Sequence, residues 1–268
     1  MKVRVIAEVG ENHLGDMNRA LEMVRTAAAS GADFVKFQSY ESGDLLPGVT
    51  AEARNWIQRV QLSEGDHHVL RDEADRRGIT FLSTALSVRW AALLRDMGCR
   101  VVKIASLSLV NRPLLEYVGA HFEEVFLSTG MGDLGEIETA LQTVGSRARV
   151  TLLHCVSRYP TPDRDASLLT VPFLKKQFDV PIGYSDHTIG TVACMAACAL
   201  GAELIEKHFT LDKTLEGTDH ILSADPAELA EITHGCRRVA MMLGEYGKQL
   251  TEGEQASRAS MRHLFREA

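Results

Sequence analysis

The sequence has no apolar run of the roughly 18 residues needed to cross a bilayer. Met1 leads straight into a strand-like segment instead of a basic start and an apolar stretch, so no signal peptide is expected. There is no CxxC pair. The five cysteines, Cys99, Cys155, Cys194, Cys198 and Cys236, are odd in number and mostly embedded in apolar runs, the pattern of reduced thiols in a cytoplasm. A basic excess is missing too: the net charge of -7 argues against non-specific nucleic-acid binding, which needs a positive field to displace counterions. No Walker loop is present and no GxGxxG opens a helix after the first strand-like run, so a nucleotide is not favoured. Nor does any linker, low-complexity tract or charge block mark a second domain.

What is present is an alternation. Residues 3–9 form a short apolar run, and residues 17–29 follow with helical spacing through Leu21, Val24, Ala27 and Ala28 up to Gly31. Further strand-like runs start near Phe34, Thr80, Val101, Glu124, Val150, Pro181 and Leu204, each with a helical stretch after it. The helix over 63–77 opens on Ser63-x-x-Asp66, a capping-box pattern, and ends at Gly78. A long polar loop precedes it. Strands apolar throughout and separated by amphipathic helices call for a covered parallel sheet. Eight such units in this length suit a closed (β/α)8 TIM barrel, an α/β fold, although periodicity cannot count closure and a doubly wound sheet stays open. The expected organisation is one barrel domain over 1–247 and a helical tail over 248–268, packed on the barrel or on a partner subunit.

The carboxyl ends of barrel strands and the loops after them build active sites. Here those ends carry Glu8 with Asn12 and His13, Lys36 with Gln38, Ser83 and Thr84, and Lys103 with Ser106. The later strands add Ser128 and Thr129, His154 with Ser157 and Tyr159, Ser185 and His187, and Glu206 and His208. Lys36 and Gln38 are two apart, as are Glu206 and His208, so each pair shares a face of its strand. A lysine in an apolar strand is costly unless its ammonium is paired, so Lys36 and Lys103 must look at anions. Two lysines among serine hydroxyls, with Gly130 and Gly132 beside Ser128, suit a small phosphorylated acid. His187 and His208 end consecutive units and should be neighbours, which suggests a metal. Two histidines alone are an incomplete shell, and the plain alternative is that Lys36 pairs with Glu8, the serines cap helices and the histidines are hydrogen-bonded core residues.

The chain resembles the sialic acid synthase family, which includes the N-acetylneuraminate synthases and their pseudaminic and legionaminic acid relatives. The pieces that carry the resemblance are AEVGENHLG from Ala7, VKFQ from Val35, FLST from Phe81, VKIAS from Val102 and LSTGM from Leu127. They continue with LHC from Leu153, YPTP from Tyr159, GYSDHT from Gly183 and EKHFTLDK from Glu206, running on to Asp219. The resemblance implies a TIM barrel that condenses phosphoenolpyruvate with the open-chain aldehyde of a sugar to give a 2-keto-3-deoxy acid and phosphate. It also implies a divalent cation, manganese before magnesium or cobalt, on His187 and His208. Lys36, Thr84, Lys103, Ser106, Ser128, Tyr159 and Ser185 would hold phosphoenolpyruvate, with Ser157 beside them; Glu8, Gln38 and Asp219 would face the aldehyde. Glu8, Lys103 and His208 are the implied catalytic groups.

Four departures from the family pattern all concern the acceptor. Ser106 runs into Leu107-Ser108 where relatives have Gly-Glu, Ser157-Arg158 replaces an asparagine, and the loop over 41–59 is poorly matched. The sequence also stops at Ala268, roughly where relatives begin an antifreeze-like domain that reaches into the partner subunit. The expectation is therefore an intact donor half with an altered aldehyde, or an acceptor site completed by another chain, with a homodimer as the simplest assembly. Two further readings stay open: a Schiff-base aldolase on Lys103 or Lys36, and a barrel that binds a partner without catalysis.

Overall fold

In a computed structural model of the chain, which describes residues 3–44, 48–262 and 264, eight parallel strands close into one barrel in sequence order. They are β1 (Arg4–Glu8), β2 (Phe34–Ser39), β3 (Thr80–Ala85), β4 (Val101–Ile104), β5 (Glu124–Ser128), β6 (Arg149–His154), β7 (Ile182–Asp186) and β8 (Leu204–His208). Pairing of β1 with β8, Arg4 opposite Leu204 through Glu8 opposite His208, closes the ring, so the barrel reading holds and the open sheet falls. Bare backbone helps the closure at Gly183, where a Cβ would stand 2.5 Å from the Leu204 carbonyl oxygen of β8.

The helices around the barrel are α1 (Met17–Ala29), α2 (Ala51–Val60), α3 (Glu64–Arg77), α4 (Val88–Asp96), α5 (Arg112–His121), α6 (Leu134–Val144), α7 (Thr170–Gln177), α8 (Val192–Ala199) and α9 (Pro226–Met242). Local chemistry fixes their starts. Ser63 with Asp66, Asp133 with Glu136 and Asp225 with Glu228 each form a full capping box, and Gly78 ends α3 at φ 69°. None of the helices described is long and apolar enough to cross a membrane.

The sequence predicts an irregular loop between β2 and α3, whereas the structure has α2 there. Thr50 caps it, Trp56 Nε1 donates to Glu11 at 2.5 Å, and Arg54 donates to the Ser42 carbonyl. The stretch reads as a loop because it is polar overall, and in the fold only Val60 of it is buried. The expected tail helix exists as α10 (Glu252–Met261), but residues 241–262 are all exposed, so it does not pack on the barrel.

Strand alternation sorts the side chains into two compartments. Outward residues such as Val5, Val35, Val125 and Ile205 join the helices in the large outer core. Ile6, Phe34, Leu82, Phe126, Leu153 and Leu204 form a separate cluster, with Val101 against it, that plugs the barrel interior. Phe34 and Phe126 meet edge to face at 5.4 Å. Below this plug, at the amino-terminal end, Arg4 makes a two-point bond to Glu124 at 2.8 and 2.7 Å while its guanidinium lies over both rings.

Candidate active site

Two residues beyond the plug, the inward positions change character together. They become Glu8, Lys36, Thr84, Lys103, Ser128, Ser185 and Glu206, one from each of seven strands, with Cys155 just past the end of β6, all at most 6% exposed. These side chains form the floor of a cavity of about 630 Å³ at the carboxyl end of the barrel. The next inward step adds Gln38, Ser157, His187 and His208 to the wall, and the loops bring Ser106, Tyr159 and Asp219. Every residue to which the family resemblance gives a role therefore lines one cavity, and Lys36 and Lys103 share it.

The floor is a network of charges. Lys36 Nζ lies 3.0 Å from Glu8 Oε2 and 3.5 Å from Glu206 Oε2, and donates to Thr84 Oγ1 at 3.0 Å. Lys103 Nζ donates to Glu206 Oε1 at 3.1 Å, and the Ser185 hydroxyl donates to the same oxygen at 2.9 Å. Burial opposes ionisation of Glu206, but Lys103 and Lys36 outweigh it and hold the carboxyl well below its usual range. Burial likewise works against the Lys36 ammonium, and Glu206 and Glu8 reverse the balance. For Lys103 burial wins: its pKa is lowered despite Glu206. Glu8 is pushed up to about 7, by burial first, against the pull of Lys36; Gln38 donates to its other oxygen at 3.0 Å.

The lysines thus find their anions inside the protein, as the plain alternative has it for Lys36 and Glu8, yet the network is not saturated. An ammonium carries three donors, and among the described residues Lys103 uses one of them on Glu206. Ser128 Oγ is buried without a hydrogen-bond partner. Beside it Gly130 leaves a bare recess, where a Cβ would stand 2.6 Å from Ser157 Oγ, 2.8 Å from Cys155 Sγ and 3.0 Å from Ser106 Oγ. An ammonium, hydroxyls and naked backbone around a recess make a receptor for an oxyanion.

The two imidazoles sit on the opposite wall with ring centroids 5.5 Å apart. His187 Nδ1 donates to the Val156 carbonyl at 2.8 Å, which leaves the lone pair on Nε2. His208 Nδ1 is buried with no hydrogen bond, 3.4 Å from Asp219 Oδ2. Both rings are kept neutral, His187 near 4 by burial and then His208, and His208 near 3 by burial and then Lys36. Two neutral imidazoles, one with an orphaned nitrogen, suit a divalent cation whose other positions go to water or ligand. Among the described residues no group of three or more protein ligands gathers, so such a cation would be held by the two histidines. Tyr159 covers them, its ring 4.1 Å from that of His187.

Other polar strand-end residues prove structural. His154 points outward and bonds the Ala166 carbonyl, Asn12 ties the Phe209 carbonyl to Ser223, and Ser83 bonds Ser39, which also holds His67. Sequence reasoning passes over a buried pair behind the histidines. Lys207 donates to Asp186 at 2.8 Å, both fully buried, and Asp186 also accepts from Tyr184 and from the Thr188 amide. Each partner immediately precedes one imidazole, so the pair locks the ends of β7 and β8 that carry them. Leu107, one of the departures on the acceptor side, lines the cavity, and Glu11, Leu86, Met131 and Thr218 line it unforeseen, because loop course decides it.

A closed parallel barrel whose carboxyl-end cavity joins a lysine-serine anion receptor to two neutral imidazoles defines a class of small-molecule sites. The chain belongs to the NeuB family, whose model matches residues 23–248. It is 39% identical to the N,N'-diacetyllegionaminic acid synthase of Campylobacter jejuni over 95% of this chain and 81% of that one. It is 33% identical to the human N-acetylneuraminate-9-phosphate synthase, covering 94% of this chain and 74% of that one. The crystal structure of the N-acetylneuraminic acid synthetase of Leptospira borgpetersenii, in complex with citrate, superposes with a TM-score of 0.92 at 37% identity, over 98% of this chain and 93% of that one.

Proposed function

We propose that this chain condenses phosphoenolpyruvate with the open-chain aldehyde of a sugar, giving a 2-keto-3-deoxy acid and phosphate. The observation that carries the reading is the unsaturated receptor formed by Lys103, Ser128 and the Gly130 recess in the same cavity as His187 and His208. It rests also on membership of a family whose named relatives make sialic and legionaminic acids.

In this reading Lys36, Thr84 and Ser185 hold the carboxylate end of the donor, and Lys103 with Ser106, Ser128 and Ser157 holds its phosphate. Tyr159 closes over the reactants. Carbon 3 of the enol ester attacks the aldehyde carbon, the aldehyde oxygen takes up a proton from solvent water, and positive charge is left at carbon 2. A divalent cation on His187 and His208, manganese by preference, would supply Lewis acidity toward that oxygen. Glu8, held by Gln38 and Lys36, orients the water that adds to carbon 2 and takes its proton. The tetrahedral centre then breaks its bond to the bridging oxygen, which leaves with the phosphate and takes up the proton of the new hydroxyl, so that a ketone remains; Lys103 stabilises the departing phosphate. Gln38 and Asp219 bond the acceptor hydroxyls. The five free cysteines fit a reducing cytoplasm, where we place the enzyme.

Incubation with phosphoenolpyruvate, manganese and an aldose panel should release phosphate only when donor and aldehyde are both present. With 18O in the bridging position, the label should leave with phosphate. Borohydride added with pyruvate should leave the protein mass unchanged, because Lys36 is held charged and Lys103 is bonded to Glu206. A trapped adduct would install the Schiff-base aldolase in place of this reading. Donor binding without phosphate release from any aldehyde would favour the non-catalytic barrel.

A further inference from the structure

Asp186 and Lys207 form the last rung of the ladder between β7 and β8. One imidazole follows each of them directly, and the two imidazoles are supported differently. His208 stays in register with Glu8 of β1, and its carbonyl accepts from the Ala224 amide at 2.7 Å. His187 lies past the end of β7, where the loop after β6 holds it on one side: its Nδ1 donates to the Val156 carbonyl, and its own carbonyl accepts from the Thr161 amide at 2.8 Å. On the side of β8 the tie is Lys207. Its Nζ donates to Asp186 Oδ2 at 2.8 Å and to the Thr188 carbonyl, so one ammonium grips the chain immediately before and immediately after His187. Among the described residues no other hydrogen bond joins residues 187–191 to β8 or to the loop that follows it.

Both oxygens of the carboxylate are occupied. Oδ1 accepts from the Tyr184 hydroxyl at 3.0 Å and the Thr188 amide at 2.9 Å, while Oδ2 accepts from Lys207, from the Thr188 hydroxyl at 3.2 Å and from the Cys194 thiol at 3.4 Å. Asp186 and Lys207 are fully buried on the helix side of the barrel, where other outward positions such as Val5, Val35, Val125 and Ile205 are apolar. Stability does not explain the exception, because apolar replacements of similar volume often serve a buried pair's place as well or better. What an apolar pair lacks is direction. An ammonium aimed at one carboxylate and one carbonyl fixes where the backbone on either side of His187 stands relative to the residue beside His208.

We infer that Asp186 and Lys207 are positioning residues: they hold His187 and His208, whose ring centroids are 5.5 Å apart, at the separation that lets both bind one divalent cation. The inference rests on the cation of the proposed synthase and adds the residues that set its site.

The test measures manganese binding to the substrate-free protein from the loss of the free-ion electron paramagnetic resonance signal. Asp186→Asn with Lys207→Met should weaken binding about 10–100-fold, the usual effect of losing a partner behind a metal-binding imidazole. Arg4→Met with Glu124→Gln, which removes the buried pair at the other end of the barrel, should leave it within about twofold. Should the first variant not fold, Asp186→Asn alone carries the test with a loss of about tenfold. In phosphate release the half-saturating manganese concentration should rise by the same factor, and turnover at saturating manganese should return to near the native value, the pattern of lost binding and not of lost chemistry. Unchanged manganese affinity, or an equal loss in the Arg4 and Glu124 variant, overturns the inference and leaves the synthase reading standing. The expected loss of affinity in a protein that releases phosphate with no aldehyde upholds the positioning role and ends the synthase reading. Native protein that binds no manganese, cobalt or zinc ends the inference and the cation together.

Discussion

The barrel carries charge inside both of its ends, and the two ends use it differently. At the amino-terminal end Arg4 makes a two-point bond to Glu124, with Arg149 at 3.8 Å, and two phenylalanine rings lie against the guanidinium. At the carboxyl end two lysines and two glutamates share their bonds around a cavity, and Lys103 and Ser128 keep hydrogen-bonding capacity in hand. Arginine offers a rigid fork that a carboxylate can satisfy completely, whereas lysine offers rotating donors that a ligand can share. Buried charge alone therefore does not mark a site in this fold. Charge left incompletely paired beside empty space does.

Breaking the carboxyl-end network should give the largest effect. Lys103→Met combined with Glu206→Gln removes one charge of each sign, and such neutral replacements of buried pairs are often tolerated. The double variant should keep the melting temperature within a few degrees and lose roughly 10²–10³-fold in turnover, as when a positioned donor to a developing anion is removed. An unchanged rate of phosphate release would move the donor site elsewhere. Next in size is Lys207→Met, which strands a fully buried Asp186. Denaturant unfolding should show a loss of about 3–5 kcal/mol. At the amino-terminal end, Arg4→Met should cost about 1–3 kcal/mol through the lost charged hydrogen bonds and leave turnover within about twofold. A larger loss of turnover than of stability there would erase the contrast between the ends.

Much of this division is legible before the structure is seen. Period-2 alternation places Lys36 with Gln38 and Glu206 with His208 on shared faces, and the structure turns all four into one cavity. Helix starts are legible where side chains announce them, as at Ser63, because those bonds are local. Closure is not, since the pairing of β1 with β8 joins residues about 200 apart. Asn12 and His154 look like site residues in sequence because they are polar at strand ends, and only the direction of each side chain shows them bonding backbone carbonyls. Lys207 escapes notice for the converse reason: its neighbours in sequence, Glu206 and His208, face the cavity while it faces outward to an aspartate 21 positions earlier. The apolar lip of Leu107 and Met131 depends on loop course, which carries no periodicity to read.

The smallest expected effect separates imidazoles inside the cavity from those outside it. His13 packs near Phe37 and accepts a hydrogen bond from the Gly15 amide at 3.1 Å, away from the cavity lining. Burial pushes it from 6.5 down to about 4. The folded state thus favours the neutral ring, while the unfolded chain protonates it near its ordinary value. Its contribution to stability is complete above pH 6.5 and drains away as the pH falls toward about 4. The slope of unfolding free energy against pH in that window should drop by up to about 1.4 kcal/mol per pH unit in His13→Gln. Turnover of the variant at neutral pH should stay within about twofold, because the altered ring touches neither the floor nor the lip of the cavity. An unchanged slope would mean that the ring is solvated in the folded state. A collapse in turnover at full stability would place the loop after β1 in the chemistry, and the line between supporting and reacting imidazoles would have to be redrawn.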